Sequence, residues 1–210
     1  MTFPEITFAN VLDYIGTLAF AISGIRLAST KRFDWFGAYV VGLATAIGGG
    51  TVRDLLLDVP VFWMSNGIYF LITLLALLLV VLFGKVVVRQ KYTWFIFDTI
   101  GLGMFAVIGI EKTLGVGYPF WVAIVMGSVT GAGGGVIRDV FLNEVPLIFR
   151  AEIYAVACVL GGLAYWACHL CGWGNVSCGL VCGSVVILSR VLAVRYQINL
   201  PTLRDSDECA

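Results

Sequence analysis

Charge is scarce in this chain. Asp, Glu, Lys and Arg make up only 12% of its 210 residues, 60% are hydrophobic, and the mean hydropathy is +0.98. A soluble domain carries about a quarter charged residues, so this composition places the protein in a bilayer. Thirteen basic residues balance thirteen acidic ones, which leaves no basic face for nucleic acid. Histidine occurs once, as His169, near a connection between two apolar runs. No Gly-x-Ser-x-Gly, His-Glu-x-x-His or paired membrane aspartates on adjacent helices stands out, so an intramembrane enzyme finds little support. Cysteine is missing from the first two thirds, and Cys158, Cys168, Cys171, Cys178, Cys182 and Cys209 crowd the last. That is unlike the spread framework of a disulfide-stapled secreted domain, so most read as small packing residues. The group Cys168, His169, Cys171 and Cys178 lacks regular metal-ligand spacing; the expectation is no metal and no cofactor, with bridging of Cys168, Cys171 and Cys178 left open. Met1 to Glu5 lack the positive region of a secretory signal, so the first apolar run reads as a retained helix.

What is abundant is apolar sequence in runs of about 20 residues, the length that spans a membrane. Seven are expected, near 10–29, 35–57, 67–88, 95–114, 119–142, 152–172 and 175–194. The third, Ile68 through Gly84, is a clean lipid-facing run. Seven crossings put the loops after spans one, three and five on one side with the C-terminus. Lys31, Arg32, Lys85, Arg89, Lys91, Arg150, Arg195 and Arg204 all fall there, against little beyond Lys112 opposite. The positive-inside bias then sets the N-terminus outside and the C-terminus in the cytoplasm.

The chain is internally duplicated. A shift of 85 aligns positions 13–57 with 98–142 without a gap and yields 17 identities in 45 positions, including Asp13 with Asp98, Gly16 with Gly101, Phe20 with Phe105, and Thr45 with Thr130. Gly48-Gly49-Gly50 returns as Gly133-Gly134-Gly135, and Arg53-Asp54 as Arg138-Asp139. Each unit has three crossings, an odd number, so the second inserts upside down, as in the inverted repeats of many transporters. The expected fold class is an all-α polytopic membrane protein of seven transmembrane helices. Its divisions are 1–94 for the first three-helix repeat, 95–174 for the inverted second, 175–194 for the seventh helix, and 195–210 for a cytoplasmic tail.

Three successive glycines lower helix propensity by about 1 kcal/mol each. They lie about 18 Å along the second span, near the middle of the hydrocarbon core. The sequence therefore predicts helices two and five broken at Gly48–Gly50 and Gly133–Gly135, with freed carbonyls and amides facing a wet cavity. Arg53 and Arg138 follow within the next turn, where charge is tolerated only facing protein or water. Asp54 and Asp139 point about 100° away around the helix, which argues against direct pairing with the neighbouring arginine. Partners are instead expected at Asp13 for Arg53 and at Asp98 for Arg138. Arg190, near the end of span seven, can snorkel to the interface. Single glycines such as Gly16, Gly24, Gly101 and Gly109 read as packing points between helices.

Leu12-Asp13-Tyr14-Ile15-Gly16, Phe20-Ala21-Ile22-Ser23-Gly24, Gly48-Gly49-Gly50-Thr51-Val52-Arg53-Asp54 and their second copies resemble those of the bacterial glycine-transporter-domain membrane proteins, relatives of the trimeric intracellular cation (TRIC) channels. The resemblance covers nearly the whole chain. It implies a bacterial inner-membrane homotrimer with a pore in each subunit, and it puts the six glycines, Arg53 and Arg138 along that pore. Two solutes stay open: a zwitterion such as glycine, held by amide ends and arginine, or a monovalent cation, held by carbonyls. The alternative from a different class is a passive membrane scaffold in which the Arg-Asp groups are structural ion pairs.

Overall fold

The computed structural model describes residues 8–83, 93–150 and 153–198. Seven α-helices occupy them: α1 (Phe8–Thr30), α2 (Trp35–Leu56), α3 (Ile68–Leu82), α4 (Thr93–Gly115), α5 (Phe120–Phe141), α6 (Ala155–Leu170) and α7 (Asn175–Arg195). Short 3-10 turns, Phe62–Met64 and Leu147–Phe149, precede α3 and α6. Five of the helices, α1, α2, α4, α5 and α7, are long and apolar enough to cross a membrane; α3 and α6 have 15 and 16 residues. Lys85, Arg89, Lys91, Arg204 and Cys209 lie outside the described residues, as does the end of the span expected to 88.

Helix ends follow local chemistry. The Asp34 carboxylate accepts a hydrogen bond from the Gly37 amide at 2.6 Å and starts α2. Asp58 and Asn143 stop α2 and α5 with left-handed φ of 53° and 54°, a conformation short polar side chains tolerate. These two residues are themselves 85 positions apart.

At the centre, α1 packs on α4 and α2 on α5, so both central contacts join one repeat to the other. The contacts are reciprocal. Phe20 meets its counterpart Phe105 at a ring separation of 5.2 Å, and Gly101 lies under Phe20 as Gly16 lies under Phe105. Within each unit the same small residues let helices touch: Gly24 against Thr45 and Gly42 recurs as Gly109 against Thr130 and Gly127. Without a hydrophobic drive between helices in lipid, such close backbone approach is what holds them together. Helix α3 leans on α1 and α2, α6 on α4 and α5, and α7 closes against α4 and α6. Leu71, Leu74, Leu75, Leu78 and Leu82 leave one side of α3 exposed, as a lipid-facing helix requires.

The helices are not broken at the triple glycines. Helical structure runs through Gly48–Gly50 in α2 and through Gly133–Gly135 in α5, so no unwound carbonyls or amides are presented there. The glycines serve a crossing instead. A Cβ on Gly49 would stand 2.1 Å from the Thr130 carbonyl oxygen, and one on Gly134 would stand 2.2 Å from that of Thr45. Their low helix propensity is offset by interhelical packing that no larger residue allows.

Candidate functional site

Two cavities lie at opposite ends of the central helices. The first, about 390 Å³, is lined by Asp13, Arg53, Phe62, Tyr69, Glu111 and Lys112, among others. The second, about 240 Å³, is lined by Lys31, Trp94, Arg138, Asp139, Glu144 and Arg150, among others. Asp13 and Thr30, one in each lining, are separated along α1 by roughly 26 Å at 1.5 Å per residue. The two vestibules share no lining residue, and the Gly49–Gly134 crossing lies between them.

Each arginine is buried and fixed by its neighbour. Arg53 donates to Asp54 through Nε at 2.8 Å, and its Nη2 forms an ion pair with the same oxygen at 2.7 Å. Arg138 donates to Asp139 through Nε at 2.9 Å, with Nη2 2.8 Å from the same oxygen as an ion-pair contact. Direct pairing of adjacent residues thus occurs, contrary to the expectation from their angular separation. The long guanidinium reaches around the last turn of its helix, where the carboxylate is also held by a loop. Asp54 Oδ2 accepts from the Phe62 amide at 3.0 Å, and Asp139 Oδ2 from the Leu147 amide at 3.1 Å. Each aspartate therefore ties helix end, arginine and 3-10 turn together, and the tie recurs at a spacing of 85.

Further out the halves differ. Arg138 also forms an ion pair with Asp98 and donates to Ser23 Oγ at 3.0 Å, so the expected Asp98–Arg138 partnership is present. Among the described residues no ion pair joins Asp13 to Arg53; the Asp13 carboxylate instead accepts a hydrogen bond from the Tyr69 hydroxyl at 2.5 Å. In the first half the added partner is a base, not an acid: Lys112, 31% exposed, pairs with Asp54 at 2.8 Å. The counterpart of Tyr69 is Tyr154, whose hydroxyl donates to Asp98 Oδ1 at 3.4 Å. Asp98 is fully buried, and its Oδ2 has no hydrogen-bond partner among the described residues. A buried carboxylate oxygen of that kind calls for water or a cation.

Sequence reasoning gave no role to Tyr69 or Tyr154. The 85-residue register does reach them: Ile68-Tyr69 matches Ile153-Tyr154, but the ten positions before differ throughout, so the alignment stopped short. It also passed over Lys112 and Glu111, which match Leu27 and Arg26 and so break the repeat. Arg190 does not snorkel. It is fully buried, donates to the Ile153 carbonyl at 2.9 Å, and has the Tyr154 and Phe95 rings 4.8 and 5.1 Å from its guanidinium carbon. Cys158, Cys168, Cys171, Cys178 and Cys182 are free thiols.

At the mouth of the second vestibule Lys31 donates to Glu144 at 2.6 Å, linking the α1–α2 and α5–α6 connections. This hydrogen bond holds the Glu144 carboxyl below its ordinary range. Because the folded value is depressed, the tie is complete above the ordinary glutamate pKa of about 4.3 and is lost as pH falls through the lowered value. NMR titration of Glu144 checks this; a midpoint at or above about 4.3 would mean that no tie exists.

Fold and site together define a polytopic α-helical membrane protein with two charged vestibules separated by a glycine crossing. The family described as glycine transporter matches residues 10–85 and 95–170, and the chain belongs to that family. It is 39% identical over 198 residues to the inner membrane protein YadS of Escherichia coli K12, covering 91% of this chain and 94% of that one. With the membrane protein YvgT of Bacillus subtilis 168 it shares 40% over 196 residues, 91% and 95% of the two chains. Among solved structures, the TRIC trimeric intracellular cation channel orthologue from Rhodobacter sphaeroides superimposes with a TM-score of 0.86 at 33% identity, covering 91% of this chain and 100% of that one. The C. elegans TRIC channel, at 16% identity and a TM-score of 0.60 over 96% and 94%, shares the fold. The solved relatives are cation channels and the matching family is a transporter family, not one of enzymes.

Proposed function

We propose that this protein is an inner-membrane channel for monovalent cations, assembled as a homotrimer with one pathway per subunit. The pathway runs from the Asp13 vestibule, between α2 and α5 at Gly48–Gly50 and Gly133–Gly135, to the Arg138 vestibule. The two three-helix units, 1–94 and 95–174, stand inverted in the bilayer, which accounts for the reciprocal contacts, and 175–194 is added to them. Lys31, Arg32, Arg150 and Arg195 gather at one end of the helices; that end faces the cytoplasm, with the C-terminal segment 195–210, and the N-terminus lies outside.

One observation carries the choice of solute: each guanidinium is already engaged by a carboxylate of the protein. Arg53 is held by Asp54, a carboxylate it shares with Lys112, and Arg138 by Asp98 and Asp139. Among the described residues, Asp13 lines its vestibule with only the Tyr69 hydroxyl hydrogen-bonded to it, and Asp98 retains an unpartnered oxygen. A cation finds carboxylates along this route, whereas a glycine carboxylate finds its candidate arginines occupied. The passive scaffold accounts for the ion pairs but gives no role to the unpartnered Asp98 oxygen.

Reconstitution into liposomes, with potassium flux and glycine uptake measured in parallel, tests this. Potassium flux without saturable glycine uptake is the expected result. Arg53→Ala should keep or raise the flux, since it leaves Asp54 less neutralised. Saturable glycine uptake weakened by Arg53→Ala would assign the pathway to the zwitterion, and the absence of both fluxes would favour the scaffold.

A further inference from the structure

A third cavity, about 350 Å³, opens where α4 and α6 end and α5 and α7 begin, with Glu111, Leu114, Phe120, Tyr165, His169 and Asn175 in its wall. Apart from Glu111, its wall shares no residue with the two vestibules of the pathway proposed above. Its position is set by what the two repeats do not share: Glu111 matches Arg26, opposite in charge, and Asn175 belongs to α7, which has no counterpart in the first unit.

Three features bear on what it holds. Glu111 is half-buried, and its Oε1 has no hydrogen-bond partner among the described residues, leaving an acceptor out of water and unsatisfied. The adjacent Lys112 does not neutralise it, because its ammonium pairs with Asp54. The wall beside the carboxylate is aromatic: Phe120 has His169 at 4.9 Å and Tyr165 at 6.4 Å. A carboxylate next to aromatic surface selects for a cation with an apolar body, since ring faces attract positive charge and their area packs carbon. A carboxylate also binds most strongly a cation that can donate an N–H to it. The volume is that of a small-ligand pocket.

We propose that this cavity binds a protonated primary amine carrying a short apolar group, with its ammonium on Glu111 and its carbon chain against Phe120 and Tyr165. Glu111 also lines the Asp13 vestibule, so the bound amine would sit in the partition between the side cavity and the pathway. The site stands whichever solute the pathway carries.

Calorimetric titration of the purified full-length protein with n-butylammonium and with tetramethylammonium tests the assignment. The expected result is saturable n-butylammonium binding, weakened about tenfold or more by Glu111→Gln, and again when the probe is tetramethylammonium, which has no N–H to donate. Phe120→Leu, which keeps the carboxylate, should weaken it less, and Asp13→Asn should leave it in place. Three results would each overturn the proposal: no saturable binding by the wild type, binding undiminished in Glu111→Gln, or binding lost in Asp13→Asn but kept in Glu111→Gln. The last would move the amine into the vestibule. Phe120→Leu provides a second reading should Glu111→Gln fail to fold, since undiminished binding there also removes the site.

Discussion

Arg138→Ala is expected to cost about 3–5 kcal/mol of stability, the range for removing one partner of a buried ion pair. The residue is fully buried and serves two carboxylates, Asp98 and Asp139, at once. Its loss would leave both without compensation, and it would also sever the Ser23 contact that joins α5 to α1. Helix α1 is held to the start of α4 through the same serine, whose hydroxyl donates to the Trp94 carbonyl at 3.2 Å, so the damage should spread across the repeat boundary. A large fall in apparent melting temperature in detergent is the measurement. Asp98→Asn should cost less, and the double variant should cost clearly less than the sum, because the second substitution removes the charge that the first strands. The corresponding cycle on Asp13 and Arg53 should be close to additive, since those two form no ion pair and each has another partner. Strong coupling there, with none at Asp98 and Arg138, would reverse the assignment of roles to the two halves.

That contrast also marks what sequence could reveal. Seven helices were legible because each apolar run is bounded by polar or glycine-containing turns. The duplication was legible because rare charged pairs align in a single register. Charge alone led to the Asp98–Arg138 contact: the membrane forces a buried arginine to find an acid on a neighbouring helix. The same rule failed for Asp13, because a tyrosine and Lys112 lie where the repeat alignment gave no warning of them. The glycines were misread for a related reason. A run of three glycines weakens an isolated helix and equally permits two helices to touch, and one chain read linearly does not show that the partner of Gly49 lies on α5. Only the second copy, folded against the first, turns low propensity into close packing.

The crossing supplies the other large effect. Gly49→Ala and Gly134→Ala should each prevent α2 and α5 from reaching their native separation, because the added methyl meets backbone and not a side chain that can rotate away. At Gly49 the obstacles are the Thr130 carbonyl at 2.1 Å and the Gly134 nitrogen at 3.1 Å. Overpacking of a rigid contact costs about 1–3 kcal/mol or more, and two helix backbones yield less readily than a side-chain core. Gly48→Ala should be milder, since its nearest neighbour is the Ile137 Cδ1 methyl at 2.5 Å, the movable end of a side chain. Gly67→Ala, with nothing within 4 Å, should be neutral. Folded yield and melting temperature across the four variants would establish this order, and equal effects at Gly49 and Gly67 would remove the crossing from the account. Under the proposed function the same variants report on conduction. The crossing separates the two vestibules, so α2 and α5 must part there for an ion to pass, and alanine at Gly49 wedges them in that direction. The fraction of Gly49→Ala that folds should therefore conduct more per molecule than the wild type in liposomes. Lower conduction per folded molecule would place the route elsewhere in the bundle and leave the glycines a purely structural task.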